Sequence, residues 1–87
     1  MKEITINCAG IGTMAEIHDL LSRELCFPDW YGRNLDALHD CLCSLGQDTR
    51  LNFLHFSALP FPTGGLLKVL ADCENQNPHL EISLVNN

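Results

Sequence analysis

The sequence predicts an α/β fold, a three-stranded parallel sheet packed with helices in the order β-α-α-β-α-β. Three observations carry this. Ile4, Ile6 and Cys8 alternate with polar neighbours near the start, as Leu80, Ile82 and Leu84 do near the end, which is the two-residue period of a strand. Between them lie stretches whose apolar residues recur at helical spacing. Strands separated by helices, rather than by tight turns, require crossover connections and therefore parallel pairing.

The first strand covers residues 3–8 and closes at the turn-formers Gly10 and Gly12. Thr13 stands three residues before Glu16, so its hydroxyl can accept from that amide and start a helix. Met14, Ile17, Leu20, Leu21 and Leu25 form the apolar side of this helix. Pro28 ends it, because proline disfavours helix in the preceding residue, which gives residues 14–26. Asn34 is a good N-cap for a second helix closed by Gly46, residues 34–45. Its apolar stripe is Leu35, Leu38, Leu42 and Leu45. At ~100° per residue, Asp36, His39, Asp40 and Cys43 fall on the opposite side, free for water or a partner. Residues 50–56, rich in leucine and phenylalanine, read as a buried strand in which Asn52 and His55 need partners or an edge. Pro60, Pro62, Gly64 and Gly65 make residues 57–65 irregular. Leu66, Val69, Leu70 and Cys73 then set the last helix, residues 75–78 break it, and the third strand follows.

A chain of 87 residues has room for one buried core, so residues 1–87 are read as a single domain. Five Lys and Arg against eleven Asp and Glu give a net charge of −6, which repels nucleic-acid phosphates and attracts a basic partner. No apolar run approaches the ~18 residues of a membrane span, and the first residues lack the apolar core of a secretion signal, so a cytoplasmic protein is expected. Cys8, Cys26, Cys41, Cys43 and Cys73 are odd in number and irregular in spacing, which indicates small apolar fillers rather than disulfides. His39 and Cys43 can share a helix face, but two ligands do not make a zinc site, so no metal or cofactor is expected. Phosphate loops, nucleophile elbows and dinucleotide turns are missing from the sequence, which argues against an enzyme.

Phe27, Trp30 and Tyr31 put three of the six aromatic residues within five positions, directly before the second helix. Packing explains part of such a cluster; aromatic anchors leading into a carboxylate-bearing face are also the makings of a protein interface. The run Tyr31-Gly32, then Asn34-Leu35-Asp36-Ala37-Leu38, then Asp40, resembles the signature of the barstar family of ribonuclease inhibitors. The short length, acidity and element order extend that resemblance over the whole chain. It implies a monomeric inhibitor of a barnase-type ribonuclease that plugs the enzyme's basic active site with the second helix and the loop before it. It also implies contact roles for Trp30, Asn34, Asp36, His39 and Asp40, with Asp40 as the carboxylate that enters the phosphate pocket. Trp30 stands where a tyrosine is usual in the family, and His39 where an aromatic is usual. A further acidic contact from the last helix is implied, with Asp72 and Glu74 as candidates. Two other classes fit the residues: a module of the same fold binding a different basic protein, and a thiol or metal protein using His39, Cys41 and Cys43.

Overall fold

The computed structural model describes residues 1–85 and contains β1 (Lys2–Asn7), α1 (Met14–Glu24), α2 (Leu35–Cys43), β2 (Thr49–Leu54), α3 (Gly64–Gln76) and β3 (Leu80–Val85). Short 3₁₀ turns occupy Cys8–Gly10 and Phe56–Ala58. The strands form one parallel sheet in the order β1-β2-β3, with Lys2 opposite Thr49 and Thr49 opposite Leu80. The expected α/β architecture and element order are those observed.

One sheet face is apolar. Ile4, Ile6, Leu51, Phe53 and Leu80 are buried there beside Ile17 and Leu21 of α1, Leu38 and Leu42 of α2, and Leu66 and Leu70 of α3. Each such side chain contributes about 1.5–3 kcal/mol by leaving water. The other face is polar, so β2 is not buried on both sides as its composition suggested; its burial alternates along the strand. Arg50 crosses that face, with Nη1 3.2 Å from Glu3 Oε2 and Nη2 3.1 Å from Glu81 Oε2. Asn52 finds its partner there, donating to Thr5 Oγ1 at 3.4 Å. In β3 the alternation is buried only at first, since Leu84 is exposed.

Several element ends differ from expectation: Cys8 lies in a 3₁₀ turn rather than in β1, α3 takes in Gly64 and Gly65 at its start and continues to Gln76, and three further ends have a backbone or capping reason. Cys26 adopts a left-handed conformation (φ 55°) and Phe27 N donates to Ser22 O at 3.0 Å, so α1 stops at Glu24 in a Schellman turn and Pro28 merely follows it. α2 stops at Cys43 rather than at residue 45, because Asn77 reaches across and donates its Nδ2 to Leu42 O (2.9 Å) and Leu45 O (3.0 Å). β2 stops at Leu54 because His55 is also left-handed (φ 55°) and turns the chain into the 3₁₀ segment that buries Phe56. Gly65 marks the close approach of α2 and α3: a Cβ there would lie 2.7 Å from Leu35 Cδ1. Leu35, although it packs against Gly65, is half-buried rather than fully buried.

Candidate protein-binding site

The loop between α1 and α2 sends its aromatics in opposite directions. Tyr31 N donates to Pro28 O at 2.9 Å, closing a tight turn with Trp30 at its tip, 82% exposed. Tyr31 points inward, its ring 4.9 Å from that of Phe27, and its hydroxyl lies 2.6 Å from His18 Nδ1. Burial pushes the Tyr31 hydroxyl up to about 12 and holds His18 below its ordinary value, so both are uncharged near neutral pH. Arg33, left-handed at φ 53°, is held by an ion pair of 2.7 Å from Nη2 to Asp19 Oδ1. A Cβ at Gly32 would come within 3.1 Å of Asn34 Nδ2, so a larger residue there would press on the Asn34 side chain.

Asn34 caps α2 as expected. Its Oδ1 accepts from Ala37 N at 2.8 Å and its Nδ2 donates to Gly32 O at 3.2 Å. The amide is thus occupied in joining loop to helix.

Asp36 and Asp40 lie one turn apart on α2, both exposed, and neither has an ion-pair or hydrogen-bond partner for its carboxylate among the described residues. Asp40 joins Trp30, Phe27, Tyr31, Cys41 and Leu45 in lining a cleft of about 410 Å³ between loop and helix. An exposed indole, an apolar cleft and an unneutralised carboxylate therefore meet on one surface, suited to a cationic side chain backed by apolar contact.

His39 and Cys43 do not share that open surface, contrary to the helical-wheel expectation. Both are half-buried, because α3 packs along α2 on that side. His39 Nδ1 and Nε2 are each 3.8 Å from Cys43 Sγ, and Cys43 Sγ is 3.0 Å from the buried Cys73 Sγ of α3. The α3 candidates separate as well. Glu74 Oε2 accepts from Ile82 N at 2.6 Å, which ties Glu74 to the sheet edge. Asp72 is half-buried one turn before Gln76, whose Oε1 lies 3.7 Å from Cys43 Sγ, so Asp72 occupies the flank of α3 nearer α2.

Three contributors were not foreseen from the sequence. His18 had a signal, since Leu21 and Leu25 follow it at i+3 and i+7, on the buried side of α1. Asn77, which ends α2 from 32 to 35 positions away, and Cys73, 30 positions from Cys43, had none.

A three-stranded parallel sheet with helices on one face, and with an aromatic loop leading into an acidic helix, defines a barstar-like α/β domain. The family model described as Barstar (barnase inhibitor) matches residues 1–84, and the chain belongs to that family. A relative from Bacillus subtilis (strain 168), named "Putative ribonuclease inhibitor YrdF", is 50% identical over 42 residues, which cover 48% of this chain and 46% of that protein.

Proposed function

We propose that this protein inhibits a barnase-type ribonuclease by covering its basic active site with α2 and the preceding loop. The observation that carries this reading is Asp40: an exposed carboxylate without a partner among the described residues, beside the exposed Trp30 across an apolar cleft. A ribonuclease site must be electropositive to hold a phosphodiester, so a carboxylate on a rigid helix can take the phosphate's place. Asp36, one turn earlier, adds charge, His39 borders the contact, and Asn34 fixes the loop against the helix. Asp72 supplies the acidic contact from α3, whereas Glu74 is withdrawn to the sheet edge by its bond to Ile82. The inhibitor performs no chemistry. It acts as a monomer in the cytoplasm, where RNA needs protection and thiols stay reduced.

The test is inhibition of a barnase-type ribonuclease by wild type and Asp40→Ala, with circular dichroism showing that both are folded. Loss of about 2–5 kcal/mol of binding, mainly through faster dissociation, supports the reading. Equal inhibition by the variant, or failure of wild type to inhibit any such enzyme, hands the fold to a module for some other basic protein.

A further inference from the structure

The seam between α2 and α3 gathers three soft ligand atoms that the sequence keeps apart. Cys43 is the last residue of α2, His39 lies one turn before it, and Cys73 faces them from α3. A nitrogen of His39 and both sulfurs lie within 4.8 Å of one another. Around zinc, with bonds of about 2.3 Å to sulfur and 2.0 Å to nitrogen, tetrahedral geometry sets ligand atoms ~3.5–3.8 Å apart. The observed Cys43 Sγ to His39 nitrogen distance of 3.8 Å lies within about 0.3 Å of the sulfur-to-nitrogen edge. The sulfurs, 3.0 Å apart, need to part by less than ~1 Å to fit that edge.

From this arrangement we infer that His39, Cys43 and Cys73 form a binding site for a thiolate-preferring d¹⁰ cation of the zinc type, with its fourth position left to water on the side of Gln76. Three points of chemistry favour it. Two thiolates and one neutral imidazole are a soft set, which selects zinc or copper(I) over magnesium or calcium. Binding releases both thiol protons, so a divalent ion and two thiolates make a neutral unit, and the half-buried seam gains no net charge. The protonated pair has weak or long acceptors: each other's sulfur, a His39 ring nitrogen 3.8 Å from Cys43 Sγ, the His39 carbonyl 3.3 Å from Cys73 Sγ and the Gln76 amide oxygen 3.7 Å from Cys43 Sγ. Cys8, Cys26 and Cys41 lie outside the cluster and serve as controls. Metal binding at this seam can be read out with no ribonuclease present, although His39 also borders the proposed contact.

The experiment uses the full chain, reduced with a non-thiol phosphine, and titrates it with Co²⁺ and then Zn²⁺. Wild type is expected to bind one equivalent, with sulfur-to-cobalt charge-transfer bands and strong tetrahedral d–d bands that Zn²⁺ abolishes. Excess Mg²⁺ should leave those bands in place. Cys43→Ser and His39→Gln, both at half-buried positions, should weaken binding by more than the ~10–100-fold that loss of a supporting contact costs. Cys41→Ser and Cys26→Ser should bind as wild type does. Because the buried Cys73→Ser can fail to fold, Cys43→Ser is the deciding variant, with circular dichroism confirming its structure. Absence of thiolate bands in wild type, or unchanged binding in Cys43→Ser, overturns the inference.

Discussion

The Tyr31 hydroxyl lies 2.6 Å from His18 Nδ1, a buried contact that joins the exposed Arg33–Asp19 ion pair in fastening the loop before α2 to the first helix. His18 is buried, and its neighbours are Tyr31 and, at longer range, Arg33 and Asp19. Trp30 can project into water because the residue after it is held inside. Tyr31→Phe leaves His18 Nδ1 without its partner and should cost about 1–3 kcal/mol of stability. Urea denaturation measures this; a loss below the scatter of replicate midpoints would show that water takes over the bond.

The same pair should make stability depend on pH. Burial, and then the Arg33 charge, lower the pKa of His18 in the fold. Below its ordinary value near ~6.5 the unfolded chain binds a proton that the folded chain resists, so stability should fall as pH drops through that value toward the lower folded one. Urea midpoints for wild type should therefore decline from pH 7.5 to 5.5 more steeply than those of His18→Gln. Parallel slopes would assign the decline to other groups.

Cys26 occupies the left-handed position after α1 that usually belongs to glycine. A side chain there costs ~1–2 kcal/mol, of which glycine's greater freedom in the unfolded chain takes back part. Cys26→Gly should thus raise stability by up to about 1 kcal/mol, seen as a higher melting temperature under reducing conditions. A lower one would mean that the Cys26 side chain contributes packing, since it borders the cleft beside Trp30.

Asn77 is buried, and the three hydrogen bonds of its side chain go to Leu42 O, Leu45 O and His79 N. Asn77→Ala removes the donor to Leu45 O and the shorter of the bonds to Leu42 O, and should cost about 1–3 kcal/mol, with faster hydrogen exchange concentrated in residues 41–46. Exchange that rises evenly over the chain would point to a global effect instead of a lost cap.

If Asp36 and Asp40 meet a basic enzyme, ionic strength should separate their roles. Association should slow as salt rises from 0.05 to 0.5 M, because screening shortens the reach of the net charge of −6. Asp36→Ala should lower the association rate and its salt dependence while changing dissociation less than Asp40→Ala does. Stopped-flow mixing with a barnase-type ribonuclease measures both rates; equal effects of the two variants on dissociation would remove Asp40 from its central place.

What the sequence made legible was local. The two-residue period identified β1 and β3, helical spacing identified the three α-helices, composition identified β2, and Thr13 and Asn34 marked the starts of α1 and α2 correctly, because caps act within three residues; the two 3₁₀ turns were not foreseen. Ends were less legible. Cys26 and His55 turn left-handed without being glycine, and Asn77 ends a helix that it does not belong to. The site divided in the same way. The exposure of Asp36 and Asp40 followed from the helical spacing, but His39 and Cys43 lie at the α3 seam, and helical spacing within α2 cannot say which side a later helix will cover.

The sheet's pairing has a kinetic consequence. β2 is the central strand, and its partners are distant: Glu3 and Arg50 are 47 positions apart, and Arg50 and Glu81 are 31 apart. Neither ladder can form by a local turn, so each must close a long loop before any pairing repays the lost entropy. The helices can form early, but the surface carrying Asp40 is set only when the last strand has been made and docked. A newly synthesised chain therefore passes through a stage with unpaired strand edges, when it is open to proteases and to association with its own copies.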